Sequence, residues 1–418
     1  MHYCLVSIGS RGDMEPFLAV GELLLKKGHR VSCIFPEQFK TLAEDTNLNF
    51  YSLGSGFLDM LYSDAGKKAM GGATNTWQKI VAYVKLAKSY GKINKQMVLD
   101  QKKWIDELTP DVIIYSPKAI YPVLWSIHNE KAIYLSPVPY TNHPTKKHTH
   151  IGFNLNLGTL LNLATYALAK FSLVQTIFST SKHFTDLPTV SRKQISKTID
   201  TNLSIYTLSP SLFQKPTEWP NQAHVVGFHE RNKTNHWQPS ESLTQFIAKH
   251  KKIVFITFGS MTNPYPAAKT ELILKTLQTL KIPAIINTFN GGLQKPESYS
   301  NEHILFVNQI PYDWVFPKMY AIVHHGGSGT THMATKYQCP SLIIPHIIDQ
   351  FMWNKLIAKK QLGPRGIPIT KLTEAKFTQA LADLYNNPLY YKTAYTIGAT
   401  MQKEQLADKL YHLLSKSN

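Results

Sequence analysis

The chain opens on an apolar run, residues 3–8, that ends in Gly9-Ser10-Arg11-Gly12-Asp13. Phe17, Leu18, Val20, Leu23 and Leu24 then recur at helical spacing, with Gly28 just beyond them. The pattern predicts a strand, a turn and a helix that starts near Pro16 and ends before Gly28. Further apolar runs at 30–35, 50–53, 111–115 and 132–135 predict later strands of the same sheet. Strands that alternate with helical patterns imply a parallel sheet.

The second half restarts the same order. A run at 252–258 ends in Gly259-Ser260, a helical pattern covers 267–280, and strands are expected at 283–288, 304–307, 321–324 and 341–344. Helices are expected after Gly329 and after Asp349. The fold class is therefore α/β, with two Rossmann-like, doubly wound domains expected to face each other across a cleft. Ligands of such sheets bind outside the carboxyl ends of the strands. The first domain is assigned to residues 1–208 and the second to 251–398. A join at 209–250 is rich in proline and polar residues, and a final helix within 399–418 is expected to return to the first domain. Segments 54–102 and 139–200 are long insertions of the kind that line variable pockets.

Composition narrows the class. The chain has 418 residues, 43% of them apolar and 17% charged, which suits two globular domains and excludes a disordered chain. The net charge of +18 attracts anions, but the lysines come in pairs such as Lys146-Lys147 and no nucleic-acid signature accompanies them. The expected partners therefore exclude nucleic acid and leave room for a peripheral anionic membrane surface. Cys4, Cys33 and Cys339 read as buried free thiols, and with no signal peptide in view they predict a cytoplasmic protein. The lipophilic stretch 151–180 is interrupted by Asn154, Asn156, Asn162 and Lys170 and is not read as a membrane span.

Two turns carry candidate chemistry. In the second half, a strand ends at His324, His325-Gly326-Gly327-Ser328-Gly329-Thr330-Thr331 follows, and a helix opens. The free N–H groups of a helix N-terminus attract phosphate, and glycines let the backbone approach it. Thr330 and Thr331 could add hydroxyl donors and His325 a ring N–H. The plainer alternative is a capped glycine-rich turn. One strand later, Asp349-Gln350 places an acceptor next to a donor–acceptor amide, a pairing that suits sugar hydroxyls. In the first half, Asp13 is either a helix-capping carboxylate or a general base, and Ser10 or Arg11 could reach a phosphate. Neither a dinucleotide fingerprint nor a Walker loop is present, and no metal-ligand constellation stands out. His143, His148 and His150 lie in one loop and are read as solvated surface.

The order and spacing of Gly9–Pro16, Ile310-Pro311-Tyr312-Asp313-Trp314, His324–Thr331 and Asp349-Gln350-Phe351-Met352-Trp353 resemble the GT-B, family 1 nucleotide-sugar glycosyltransferases. The branch it resembles holds sterol glucosyltransferases and bacterial natural-product glycosyltransferases. The resemblance implies an inverting, metal-independent transfer of a hexose, glucose from UDP-glucose first of all, to a hydroxyl of a sterol, terpenoid, polyketide or lipid. It implies no cofactor beyond the nucleotide sugar. His325 and the turn Gly326, Gly327, Ser328, Gly329 and Thr330 would bind the diphosphate. Ser260 would meet phosphate or ribose, and the Ile310 backbone the base. Asp349 and Gln350 would hold the sugar, Asp13 would be the base, and Ser10, Arg11 and Gly12 would line the donor. Members with a tryptophan that stacks on uracil differ here, where the matching stretch reads Val307-Asn308-Gln309-Ile310. Two other readings fit the same architecture: a sugar-nucleotide epimerase and a degenerate, basic membrane or scaffold module.

Overall fold

The structure is a computed structural model that describes residues 1–67, 76–129, 131–153, 156–231, 237–263, 265–289, 291–300 and 302–415. It divides into two compact units. Unit 1 comprises Met1–Leu61, Lys85–Arg231 and Gln405–Asn418; unit 2 comprises Tyr62–Val84 and Asn232–Glu404.

Among the described residues, unit 1 holds seven parallel strands: β1 (His2–Val6), β2 (Arg30–Phe35), β3 (Asn49–Ser52), β4 (Val112–Tyr115), β5 (Ala132–Ser136), β6 (Ser204–Tyr206) and β7 (Ala223–Val225). They lie in the order β3-β2-β1-β4-β5-β6-β7. β1 and β4 are buried along their whole length, which explains why both read as continuous apolar runs: helices cover a parallel sheet on both faces. The helices used below are α1 (Arg11–Lys26), α2 (Tyr121–Asn129), α3 (Thr159–Ser181) and α4 (Arg192–Thr201). β7 falls within the stretch expected to be a join.

Unit 2 holds five parallel strands: β8 (Val254–Thr257), β9 (Ala284–Asn287), β10 (Ile304–Val307), β11 (Ala321–His324) and β12 (Ser341–Ile343), in the order β10-β9-β8-β11-β12. Its helices include α5 (Glu241–Lys249), α6 (Pro266–Leu280), α7 (Ser328–Lys336), α8 (Asp349–Lys359) and α9 (Pro388–Gln402). Phe255, Ile285, Ile310, Phe316 and Ile322 form part of its buried core. The last described helix, α10 (Ala407–Ser415), belongs to unit 1, where Leu410 and Leu414 are fully buried and Tyr3 donates a hydrogen bond to the Leu414 carbonyl.

Two local expectations are corrected. Helix α1 begins at Arg11, so Pro16 lies inside it rather than at its start. The capping signal was Ser10 and Asp13, upstream of the apolar periodicity. Of the loop histidines, His143 is buried and His148 and His150 are half-buried. His143 is 5% exposed and bonded through Nδ1 to the Tyr206 hydroxyl at 2.7 Å, His150 donates from Nε2 to the Thr141 carbonyl at 3.0 Å, and His148 stacks on Tyr140. Tyr206 and Trp219, far along the chain, bury His143, and that context is invisible in a local reading.

Candidate functional site

Each sheet reverses its strand order once, between β1 and β4 in unit 1 and between β8 and β11 in unit 2. At such a switch point the connections leave in opposite directions and open a crevice at the strand carboxyl ends. Both sequence motifs stand there, each in its own unit.

In unit 2, β11 ends at His324, which is fully buried. Its Nδ1 accepts the Gly326 N–H at 3.0 Å, which places the ring proton on Nε2. Burial pushes this histidine down to about 3, so the ring is neutral. His325 is held well below the ordinary histidine range by burial, with further contributions from His324 and His346. It too is neutral. Its ring lies tightly between two glycines: a Cβ on Gly259 would come within 2.8 Å of Cε1, and one on Gly327 within 2.5 Å of Nε2. Only glycine leaves space for the ring at both places. His325 Nδ1 is buried and makes no hydrogen bond within the described residues.

Helix α7 follows directly, with Gly327 as its N-cap and no side-chain cap. The first N–H groups of a helix have no partner within it, and the macrodipole makes that end positive. The first internal hydrogen bond runs from Thr331 N–H to the Gly327 carbonyl. Ser328 is nearly buried, Thr330 half-buried and Gly329 exposed. Thr331 is buried and donates its hydroxyl to the Gly327 carbonyl at 2.9 Å, so that proton is already spent inside the helix.

The loop into α8 is strained and pinned. Ile348 has φ +38°, which a β-branched residue rarely adopts. Gln350, 4% exposed, accepts the N–H groups of His346 at 2.7 Å and Ile347 at 3.1 Å through one oxygen. Its amide nitrogen points at Met261 Sδ, 3.3 Å away, which ties this loop to the one after β8. Asp349 is half-buried in the first turn of α8, a favourable place for a carboxylate. Ser260 is half-buried beside Gly259, and the Ile310 side chain is in the core just after Gln309 at φ +54°.

In unit 1, Asp13 serves two partners with two oxygens. Oδ2 accepts the Ser10 N–H at 2.8 Å and the Ser10 hydroxyl at 3.2 Å, closing a capping box. Oδ1 is paired with Lys118 Nζ at 3.0 Å. A Cβ on Gly9, which has φ +148°, would come within 2.1 Å of Oδ2, so the carboxylate folds over a residue that must be glycine. Arg11 is paired with Glu15 at 2.9 Å, and buried Arg231 holds Glu15 and Glu22. Gly12 has open space, its nearest foreign atom being Ser10 Oγ at 3.8 Å. Lys118 was not foreseen. The signal for it was positional: it follows β4, the strand across the switch point from β1. His346 and Met261 were also missed, because their part depends on the loop packing.

Among the described residues, no group of three or more His, Cys, Asp or Glu side chains could hold a metal ion, and no helix is long and apolar enough to cross a membrane.

Comparison with known proteins places these motifs. Residues 3–116 match the glycosyltransferase family 28 N-terminal domain, and residues 276–410 match the erythromycin biosynthesis protein CIII-like C-terminal domain. The solved glycotransferase of kitacinnamycin superposes with a TM-score of 0.70 over 100% of this chain and 98% of its own, at 14% identity. The chain has the GT-B fold. The calicheamicin glycosyltransferase CalG4 gives a TM-score of 0.68 at 15% identity, over 99% of this chain and 98% of its own. A sterol 3-beta-glucosyltransferase of Arabidopsis thaliana is 27% identical over 90% of this chain and 62% of its own length. That of Yarrowia lipolytica is 26% identical over 97% of this chain and 28% of its own. The chain thus spans less than two thirds of the length of these curated relatives.

Proposed function

We propose that this GT-B chain moves a hexose, glucose from UDP-glucose first of all, to a hydroxyl of a lipophilic acceptor, with inversion and without a bound metal. The observation that carries the reading is the turn after β11: a neutral, buried histidine with a nitrogen left unpartnered, beside a helix N-terminus with no side-chain cap. Those groups suit a diphosphate leaving group, whose charge grows as the glycosidic bond breaks. The sterol glucosyltransferase relatives and a solved rhamnosyltransferase bound to thymidine diphosphate support the same class of substrate.

In this reading the acceptor oxygen attacks the anomeric carbon, the bond to the diphosphate breaks, and the acceptor proton passes to Asp13. Oδ2 is committed to the helix cap, so Oδ1 takes the proton. Asp349 accepts sugar hydroxyls. Gln350 acts through its amide nitrogen and by shaping the loop, since its oxygen is already engaged. Ser10, Arg11 and Gly12 stay candidates at the donor only as members of the same turn. The buried thiols suit a reducing, cytoplasmic setting, and the +18 charge suits peripheral association with an anionic membrane.

The test is an acceptor panel of sterols, terpenoids, polyketides and lipids with radiolabelled UDP-glucose, read by product mass and by the anomeric coupling constant. A β-glucoside from the α-linked donor is expected. Release of free glucose or an epimerised nucleotide sugar, with no acceptor product, overturns the proposal. Alongside it, His325→Ala is expected to weaken UDP binding at least about tenfold by calorimetry, the loss of one charge-assisted hydrogen bond. Unchanged affinity puts the diphosphate elsewhere.

A further inference from the structure

A long acid-free stretch surrounds α3. Residues 131–185 contain no Asp or Glu and carry Lys131, Lys146, Lys147, Lys170 and Lys182. The helix has two dissimilar faces. Its inner face, with Asn162, Thr165, Tyr166, Val174 and Ile177, is buried within unit 1, where it packs on α2 and α4. Asn162 donates to the Lys146 carbonyl at 2.9 Å and Tyr166 to the Thr149 carbonyl at 3.1 Å, so this side is fixed. The outer face presents Leu160, Leu161, Leu168 and Phe171, which are 83%, 57%, 59% and 61% exposed. Their spacing puts them on one stripe. Of the fourteen exposed large apolar side chains among the described residues, six lie between Phe153 and Phe171, so the exposure is a patch and not scatter.

Cations frame the stripe. Lys146 and Lys147 are exposed before it, Lys182 caps the helix, and Arg192, Lys193 and Lys197 are exposed on α4. The acids that follow are partly neutralised in place: Asp186 pairs with Lys102, and Asp200 with Lys170. No described helix meets the length and apolarity of a membrane span, and with its inner face fixed against α2 and α4, α3 is a helix that lies along a surface. An apolar face rimmed by Lys and Arg is the pattern of an interfacial helix.

We propose that the outer face of α3 docks on an anionic phospholipid bilayer, with Leu160, Leu161, Leu168 and Phe171 entering the acyl boundary and the flanking cations meeting the headgroups. A second copy of the chain is a poorer occupant, because it would bring lysine-rich rims together. The inference rests on the lipophilic-acceptor reading, since such an acceptor resides in a bilayer. Its test needs no sugar donor, so the two fail separately.

The full chain is sedimented with vesicles of phosphatidylcholine alone and with 30% phosphatidylglycerol (about physiological anionic content). Binding to the anionic vesicles is expected, weakened by salt. The exposed triple substitution Leu160→Gln, Leu168→Gln, Phe171→Gln should weaken it at least about tenfold without lowering the Tm. A polarity-sensitive label on Leu168→Cys should shift to the blue on binding, with the native thiols buried. Equal binding by the triple variant, or an unshifted label, overturns the proposal. A dimer in lipid-free buffer that the triple variant dissolves, with no vesicle binding, also overturns it. Vesicle binding without any sugar transfer keeps the surface and removes the catalytic reading.

Discussion

Lys118 Nζ lies 3.0 Å from Asp13 Oδ1, joining the loop after β4 to the first turn of α1 across the switch point of the first sheet. Both side chains are partly exposed, so the pair contributes at most about 1 kcal/mol to stability. Its consequence is orientation of the one oxygen that the cap leaves over. Asp13→Asn is expected to lower turnover by at least about 10²-fold with donor affinity kept. Lys118→Met should lower it about tenfold with an unchanged Tm, and the double variant should be no worse than Asp13→Asn alone. Steady-state kinetics on the four proteins checks this; strictly additive losses would mean that Lys118 acts independently of Asp13.

Gly9 and Gly12 sit three residues apart with opposite constraints. Gly9→Ala drives a Cβ into the Asp13 carboxylate and should destabilise the chain by about 1–3 kcal/mol while lowering turnover. Gly12→Ala meets open space inside a helix and should leave the Tm equal or raised, by up to about 1 kcal/mol in stability. Denaturant melts of the pair decide it; similar losses in both would mean the capping box does not hold the turn.

Gln350 has one oxygen for two N–H groups, one buried and one part-buried. Gln350→Ala leaves both unsatisfied and is expected to cost about 2–4 kcal/mol and to weaken donor binding. Gln350→Glu keeps an acceptor and should retain most of the stability while losing the amide donor. If the two variants melt alike, the pinning role is wrong.

Four buried histidines, His324, His325, His332 and His346, are held neutral in unit 2 by burial, the first at about 3 and the last two at about 4. Unfolded, each titrates near 6.5. Between pH 6.5 and about 4 the unfolded chain therefore binds more protons, and stability falls as the pH falls, by up to about 1.4 kcal/mol per histidine per pH unit. The Tm followed by calorimetry from pH 7 to 5 should drop steeply, and less steeply in His346→Asn. A level Tm over that range would contradict the burial of these rings.

Most of the α/β frame was legible because parallel strands are apolar along their length and glycine-rich turns mark where they meet helices. The short strands β6 and β7 were not, since β6 directly follows the long insertion 139–200 and the prolines around β7 read as a join. Asp13, His325 and Asp349 could be named from motif and spacing. Their surroundings could not: which oxygen of Asp13 is spoken for, that Thr331 turns inward, that Gln350 braces a loop, and that Lys118 stands beside Asp13 all depend on distances between elements far apart in the chain.

The return of α10 to unit 1 has a bearing on how the chain is made. Unit 1 is discontinuous: His29 bonds to the Tyr411 hydroxyl at 3.0 Å and Gly227 lies under Leu406, so a side of the first sheet's helical layer is closed by residues synthesised after the whole of unit 2. Residues 1–231 hold the described strands of the first sheet without α10, while 232–404 hold the described strands of the second. Unit 1 is therefore complete only once residues 405–415 are present, and a fragment cut at 231 leaves Tyr3 and His29 without their partners on α10.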